Sequence, residues 1–259
     1  MVIILYAEWG YPMVHIKTPE EIERMRKAGR ILARCHDAIE GLIRPGMTTM
    51  ELNDFTEKFL KQHGARQVLK GYKGFPYAIC ASVNDVIAHG FPDRKPLKSG
   101  DIVKIDIVCR YRGWLADMTR TYPVGSLSAR ASRLVRIARE CMDIGIRELR
   151  PGRRIGDVMH EVQRHAENAG YSVVRELVGH GIGRTLHEEP LFPHLGKRGE
   201  GFLLQEGMVI TIEPIINEGG AETFLEIDGW TMRTMDGSLS AQFEHTVAIT
   251  KTGPLILTV

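Results

Sequence analysis

Four carboxylates and one imidazole stand in short segments that are otherwise mostly apolar. Asp106 lies in KIDIV, Asp117 in WLADMTRTY, Glu213 in VITIEPI and Glu244 in SAQFEHTVAI, and His180 opens GHGIG. A buried carboxylate without a partner costs several kcal/mol or becomes protonated. Because two divalent cations would remove this cost for all of the carboxylates at once, the set predicts a dinuclear metal site and hydrolysis by a metal-activated water.

Each of these residues, taken singly, also has an ordinary structural explanation. A lone Asp in a hairpin is usually a turn or salt-bridge residue, a Glu before Pro a polar strand end, and a His between glycines a loop residue. The hypothesis of a metal site therefore rests on the set as a whole. Oxygen-rich ligands with a single His and no Cys favour Mn, Fe or Co over a structural Zn site, although Zn stays open as an alternative.

An internal repeat links two of the five residues. ILARCHDAIEGLIRPG (31–46) aligns with IARECMDIGIRELRPG (137–152) at a shift of 106, and SGDIVKIDI (99–107) aligns with EGMVITIEP (206–214) at a shift of 107. Under this register Asp106 falls on Glu213. Chance similarity is disfavoured because the register holds from residue 31 to residue 107 with a single step. The repeat predicts two pseudo-twofold-related halves with the site at their junction.

The elements that must position these residues follow the same scheme in each half, two helices and then strands. Capping boxes at Thr18–Glu21 and Thr48–Glu51 begin two helices, which end near Arg44-Pro45-Gly46 and Gly64. In the second half, helices are expected near 127–149 and 154–169. Strands are expected at 77–83, 101–110, 114–123, 171–178, 207–216, 223–231 and 241–250.

This order of elements predicts an α+β architecture with helices on one side of a curved, mainly antiparallel sheet. The short gap at Tyr111-Arg112-Gly113 fits a hairpin that brings Asp106 and Asp117 toward the same end of a ribbon. No linker divides the chain, so we expect one domain over residues 13–259, with halves at about 19–124 and 127–250.

The bulk properties exclude several classes of protein. A net charge of +2 over 259 residues gives no broad reason to bind nucleic acid or an anionic membrane. The four cysteines form no CxxC pair and fit free thiols in a reducing compartment. Residues 1–12 are interpreted as an extension of uncertain order, whose apolar run Val2–Tyr6 is too short to span a membrane. Met13 is a candidate for an alternative translation start.

Two histidines have settings that suggest chemistry beyond metal binding. His89 lies in NDVIAHGFP, where a strand meets a Gly/Pro loop, and His187 follows His180 by seven residues in GHGIGRTLHEEP. Either could hydrogen-bond a substrate amide or its tetrahedral intermediate. The other seven histidines have no comparable setting: His15, His36, His63, His160, His165, His194 and His245.

Taken together, the motifs resemble the type I methionine aminopeptidases. The resemblance spans about residues 13–250 and rests on SVNDVIAHG, on KIDIV with a second Asp eleven residues on, and on GHGIGRTLHEEP, TIEP and SAQFEHT. It implies the pita-bread fold. It also implies removal of the initiator methionine from nascent polypeptides with a small second residue, by attack of a metal-bridging water on the scissile amide.

The resemblance also implies a role for each matching residue. Asp106, Asp117, His180, Glu213 and Glu244 would be the ligands of two divalent ions (Co, Mn, Fe or Zn), with Asp117 and Glu244 bridging them. His89 and His187 would be the catalytic histidines, and Glu213 would also shuttle a proton. Tyr72, Phe75, Cys80 and Trp230 match or approximate the lining of the methionine pocket. Leu186 departs from the family, which often has an aromatic residue at that position.

The resemblance further implies a cytoplasmic monomer that acts on nascent peptide N-termini, with no nucleic-acid substrate and no membrane. Only 25 residues separate His187 from Glu213, which leaves no room for the helical insertion of the type II enzymes. A ribosome contact is a further expectation, although a solvated helix face is the simpler explanation of the basic residues Lys17, Arg24, Arg26, Lys27 and Arg30. The alternatives are a proline-directed peptidase of the same fold and a non-catalytic binding module.

Overall fold

Four α-helices and fifteen short strands are present in residues 14–259, the part of the chain that this computed structural model describes. The helices are α1 (Pro19–Glu40), α2 (Thr49–Gln62), α3 (Ala129–Glu148) and α4 (Ile155–Asn168). The strands are β1 (Arg66–Gln67), β2 (Cys80–Val83), β3 (Val86–Ala88), β4 (Ile102–Tyr111), β5 (Trp114–Pro123), β6 (Ser172–Val173), β7 (Val178–Gly181), β8 (Glu188–Pro193), β9 (Val209–Ile212), β10 (Ile215–Asn217), β11 (Thr223–Leu225), β12 (Met232–Thr234), β13 (Ser240–Gln242), β14 (His245–Thr250) and β15 (Gly253–Ile256). The extension over residues 1–12 and the alternative start at Met13 lie outside the described residues.

The helix starts follow the local sequence closely. Both expected capping boxes form, with the Thr18 hydroxyl accepting from the Glu21 N–H and the Thr48 hydroxyl accepting from the Glu51 N–H. In the second half, Ser128 caps α3 in the same way. None of the helices in residues 14–259 is long and apolar enough to cross a membrane.

All strand pairs in the described residues are antiparallel. In the first half β4 pairs with β1, β2 and β5, and in the second half a five-stranded sheet has the order β15-β14-β9-β7-β8. Two three-stranded sheets, β13-β10-β6 and β11-β12-β3, complete the set. The pattern confirms the α+β class and the antiparallel sheet that the sequence predicts.

Each half has its own hydrophobic core, and a third core lies between them. Helices α1 and α2 pack on β4 and β5 through residues such as Leu32, Leu52 and Ile105. Helices α3 and α4 pack on the second-half strands through a separate apolar cluster. The third cluster contains Phe75 and Leu186, and it forms the apolar floor beneath the junction where the candidate residues meet.

The β4–β5 hairpin is confirmed, whereas four of the predicted strand spans are wrong. The span 171–178 contains only β6 and the first residue of β7, and the span 223–231 contains only β11. The spans 207–216 and 241–250 each divide in two, at Glu213-Pro214 and at Phe243-Glu244. Pro214 has no N–H to continue a ladder. The Glu244 N–H donates to the Thr119 carbonyl of β5 in the other half. At both breaks the chain leaves one sheet and enters another, since β9 pairs with β14 while β10 pairs with β13.

Gly29 tests how closely α1 is packed. A Cβ at this position would lie 2.0 Å from the carbonyl oxygen of Leu257, which belongs to the backbone and cannot rotate away. Alanine is intrinsically better than glycine in a helix by about 1 kcal/mol. We nevertheless expect Gly29→Ala to lower the free energy of unfolding by about 1–3 kcal/mol because of overpacking, as measured by urea denaturation.

Gly41→Ala is the matched control. Gly41 follows the end of α1 with φ −70°, and a Cβ there would meet its nearest atom, the Ala38 carbonyl oxygen, at 3.6 Å. This variant should unfold like the original protein. A Gly29→Ala protein that is equally stable would show that the contact with Leu257 is not a constraint on the fold.

Candidate metal centre

Asp106 and Asp117 reach the site from the two strands of one hairpin, β4 and β5. In the antiparallel register Asp106 lies opposite Thr119, and Asp117 lies opposite Val108. Residues two apart on a strand share a face, as do residues paired across strands, so these four side chains point to one side of the hairpin. That side meets the second half of the chain, where the Thr119 hydroxyl donates to Glu244 Oε2 at 2.8 Å.

His180 and Glu213 come from the second half, on β7 and directly after β9. The Thr211 hydroxyl accepts from the His180 N–H at 2.9 Å and donates to Glu213 Oε1 at 2.7 Å. The His180 Nδ1 lies 2.8 Å from the carbonyl oxygen of Gly181, to which it donates, so Nε2 is left as the metal-binding nitrogen. That Nε2 lies 3.6 Å from Glu213 Oε1 and 3.8 Å from Asp117 Oδ2.

The carboxylates at this junction lack counter-charges. Within residues 14–259, none of the four forms an ion pair with a lysine or arginine, and their closest basic neighbour is His180. Burial, followed by the charges of Glu244 and Asp106, raises the pKa of Asp117 well above its usual value. Burial and neighbouring carboxylates raise the pKa of Glu213 and of Glu244 in the same way. Burial raises the pKa of Asp106 to about 6.

The geometry fits divalent cations. Asp117, His180 and Glu244 each offer a ligand atom, and these atoms all lie within 4.8 Å of one another. Three buried oxygens, Asp106 Oδ1, Asp117 Oδ1 and Glu244 Oε1, have no hydrogen-bond partner among the described residues. Burial lowers the pKa of His180 to about 4, so the imidazole is neutral and can bind a metal. Hard oxygen donors with one imidazole suit Mn, Fe, Co or Zn.

The two candidate catalytic histidines lie beside this cluster. His187, on the loop between β7 and β8, has its ring centroid 4.5 Å from that of His180. His89 follows β3 in a left-handed conformation with φ 57°, a strained backbone that is uncommon outside glycine. Burial lowers the pKa of His89 to about 4 and that of His187 to about 3. Both rings are therefore neutral and can donate or accept a hydrogen bond near pH 7.

The carboxylate cluster and the two histidines line one end of a cavity with a volume of about 140 Å³. An apolar wall closes the other end of this cavity. Phe75 meets Trp230 edge to face, with ring centroids 5.1 Å apart, and the His89 ring also meets Trp230 edge to face, with centroids 6.3 Å apart. Leu186 lines the wall where an aromatic residue was the family expectation. All eleven residues that the sequence singled out line this cavity: Tyr72, Phe75, Cys80, His89, Asp106, Asp117, His180, His187, Glu213, Trp230 and Glu244.

Sequence reasoning missed the residues that hold the candidate ligands in place. Thr119 and Thr211 each lie two positions from a carboxylate on the same strand face, a spacing that could have revealed them. The sequence gives His194 no distinctive setting. This histidine is buried, and its Nε2 accepts a hydrogen bond from the Glu213 N–H at 3.0 Å. No local sequence signal identifies His194, because β8 brings it to Glu213 from 19 residues away.

A cavity with clustered carboxylates, neutral histidines and an apolar end defines a metal-dependent hydrolase. The sequence model of metallopeptidase family M24 matches residues 23–251. Methionine aminopeptidase A of Synechocystis sp. is 50% identical over 239 residues, which cover 92% of this chain and 94% of that protein.

Solved structures lead to the same grouping. The methionine aminopeptidase of Rickettsia prowazekii superposes with a TM-score of 0.94 at 44% identity, covering 95% of this chain and 100% of that one. A prolidase from Pyrococcus furiosus is more distant, with a TM-score of 0.76 at 26% identity and only 65% of its chain covered. The chain belongs to metallopeptidase family M24, and within it to the methionine aminopeptidases.

Metal-dependent stabilisation tests the cluster directly. Mn²⁺ at about 100 times its dissociation constant should stabilise the chelator-treated protein by about 2.7 kcal/mol, which corresponds to a rise in Tm of roughly 5–10 °C. Asp117→Asn removes one of the clustered negative charges. The metal-free variant should therefore be at least as stable as the original protein, but it should lose most of the metal-induced shift in differential scanning calorimetry.

Glu206→Gln makes the same change of charge at an exposed position and should keep the full shift. If Asp117→Asn kept it as well, the metal would bind elsewhere.

Proposed function

We propose that this protein is a methionine aminopeptidase that removes the initiator methionine from nascent polypeptides whose second residue is small. The observation that carries the proposal is the division of one cavity into an apolar end and a polar end. Phe75, Cys80 and Trp230 would hold a methionine side chain, while the scissile amide would lie against the carboxylate cluster.

The residues of the polar end would divide the chemistry among them. Asp106, Asp117, His180, Glu213 and Glu244 would hold two divalent ions, with Asp117 and Glu244 bridging. When bound, such ions bring the pKa of a coordinated water close to neutrality and polarise the amide carbonyl. Glu213 would take a proton from the attacking water and pass it to the leaving amine.

The two neutral histidines would act on the amide from the other side. His89 would contact the scissile amide, and its strained backbone fixes the direction from which it does so. His187 would donate a hydrogen bond to the oxygen that becomes negative as the carbonyl carbon turns tetrahedral. Donors aimed at developing charge stabilise the transition state more than the ground state.

We further infer a cytoplasmic monomer whose single catalytic domain spans residues 13–259, with halves at about 19–124 and 127–250. Free, buried thiols at Cys35, Cys80, Cys109 and Cys141 suit a reducing compartment. Co, Mn, Fe and Zn are the metals that this donor set favours.

A ribosome contact through α1 would use the exposed Arg24, Lys27 and Arg30. Lys17 does not belong to that surface, because it is buried in an ion pair with Glu188 (2.6 Å).

A proline-directed peptidase and a non-catalytic binding module are the competing functions, and one assay separates the three. With Mn²⁺, Co²⁺ or Fe²⁺, the purified protein should release Met from Met-Ala-Ser and leave Ala-Pro intact. Cleavage of Ala-Pro alone would overturn the proposal, and no cleavage with any metal would favour the binding module.

The Glu213 assignment has its own test within that assay. Glu213→Gln should lower kcat about 10²–10⁴-fold, because general acid–base catalysis contributes on that scale. Glu206→Gln, which is exposed and remote from the cavity, should keep normal turnover. A Glu213→Gln enzyme with near-normal kcat would show that the proton is carried by another group.

A further inference from the structure

Tyr72 makes a hydrogen bond that the assigned roles leave unexplained. Its hydroxyl oxygen lies 2.7 Å from Nδ1 of His187, a residue 115 positions away in the other half of the chain. The two rings are tilted at 51° with centroids 5.7 Å apart, so the contact is made through the hydroxyl rather than by stacking. Lining an apolar pocket would not require this hydroxyl, since a phenylalanine would serve as well.

A tight turn holds Tyr72 in position. The Gly71 N–H donates to the Phe75 carbonyl at 2.7 Å, and the Phe75 N–H donates to the Tyr72 carbonyl at 2.9 Å. Gly71 and Lys73, on either side of Tyr72, both have positive φ, 91° and 48°. For Lys73 this is an unfavourable backbone conformation, which persists only where the surroundings impose it. The turn therefore fixes the point and direction at which the Tyr72 side chain leaves the backbone, and the hydroxyl contact with His187 fixes the far end of the side chain.

The direction of the hydrogen bond decides what His187 can do. A neutral imidazole carries one N–H, on either Nδ1 or Nε2. If the Tyr72 hydroxyl donates to Nδ1, the proton of His187 must be on Nε2. If instead Nδ1–H donates to the phenol oxygen, Nε2 is bare and can only accept.

The chemistry of the pair favours donation by Tyr72. A phenol O–H is a stronger hydrogen-bond donor than an imidazole N–H, and an unprotonated imidazole nitrogen is a stronger acceptor than a phenol oxygen. Among the described residues, Nδ1 of His187 is also the one hydrogen-bond partner of the Tyr72 hydroxyl.

We propose that Tyr72 is a positioning residue whose hydroxyl donates to Nδ1 of His187, fixing the Nε2–H tautomer and aiming that N–H at the substrate. The inference rests on the proposed function, in which His187 must donate a hydrogen bond to the developing oxyanion. His89 differs, because neither of its ring nitrogens has a hydrogen-bond partner among the described residues. The two candidate catalytic histidines are therefore not equivalent, since of this pair only His187 has a partner that sets its tautomer.

The test compares Tyr72→Phe with Tyr77→Phe. Both remove one hydroxyl from the same loop, and Tyr77 packs against Phe75 and Phe91 outside the lining of the cavity. Long-range ¹H–¹⁵N correlation spectra of the Zn²⁺-loaded, ¹⁵N-histidine-labelled protein report the tautomer of each histidine. The His187 signals are assigned by their loss in His187→Gln.

We expect His187 to be the Nε2–H tautomer in the original protein and in Tyr77→Phe, and to become a mixture of tautomers in Tyr72→Phe. His89 should be unchanged in both variants. With Mn²⁺ and Met-Ala-Ser, Tyr72→Phe should lower kcat about tenfold, the lower end of the effect of losing a hydrogen-bond partner behind a functional histidine. KM should change much less, because the apolar ring remains in the pocket wall.

An Nδ1–H tautomer in the original protein, or an unchanged Nε2–H tautomer in Tyr72→Phe, would overturn the inference. A rise in KM with kcat unchanged would also overturn it, since Tyr72 would then act only in binding. The spectra do not depend on turnover. An original protein that shows the expected tautomers but does not cleave Met-Ala-Ser would therefore refute the proposed function and leave the hydrogen-bond assignment intact.

Discussion

The burial of four carboxylates at one junction, without a lysine or arginine to pair with them, is the constraint on which the rest of the structure depends. The carboxylates repel one another and have lost their contacts with water, which favours either protonation of the acids or separation of the two halves. Other contacts must therefore hold the junction closed. Those contacts are hydrogen bonds between the halves. Thr121 donates to the Gln242 carbonyl at 2.6 Å, and Lys104 donates to the Ser240 carbonyl at 2.5 Å. The repulsion among the carboxylates is also the source of metal affinity, because cations that bind at the junction neutralise the charges that folding brings together.

The pseudo-twofold arrangement explains why the ligands come from so many elements. Asp106 and Asp117 lie on a continuous hairpin, whereas Glu213 and Glu244 lie where strands break and change sheets. Each break releases a side chain from the regular alternation of a strand, so it can point into the junction. The first half contributes its two ligands from one continuous hairpin, and the strand breaks let the second half contribute Glu213 and Glu244. An apolar floor shared by both halves keeps water from reaching the carboxylates from below.

Much of this could be predicted from local sequence, and the remainder depends on contacts between distant segments. Capping boxes and the hairpin turn are determined by a few neighbouring residues, so α1, α2 and the β4–β5 ribbon lie nearly where the sequence predicts them. The candidate residues could be chosen because burying a carboxylate is costly wherever it occurs. The strand breaks could not be foreseen, since the Glu244 N–H turns to Thr119 of the other half. His194 and the hydroxyl of Tyr72 likewise acquire their roles only from partners far along the chain.

Anomalous diffraction from crystals grown with Mn²⁺ would test the central claim, that this junction is a dinuclear metal site, most directly. The account predicts two anomalous peaks in the cavity, with carboxylate oxygens of Asp117 and Glu244 in contact with both ions. It also predicts that His180 binds through Nε2 while its Nδ1 keeps the bond to the Gly181 carbonyl. A map without peaks at the junction, at saturating Mn²⁺, would contradict the account. So would ions bound only by other residues.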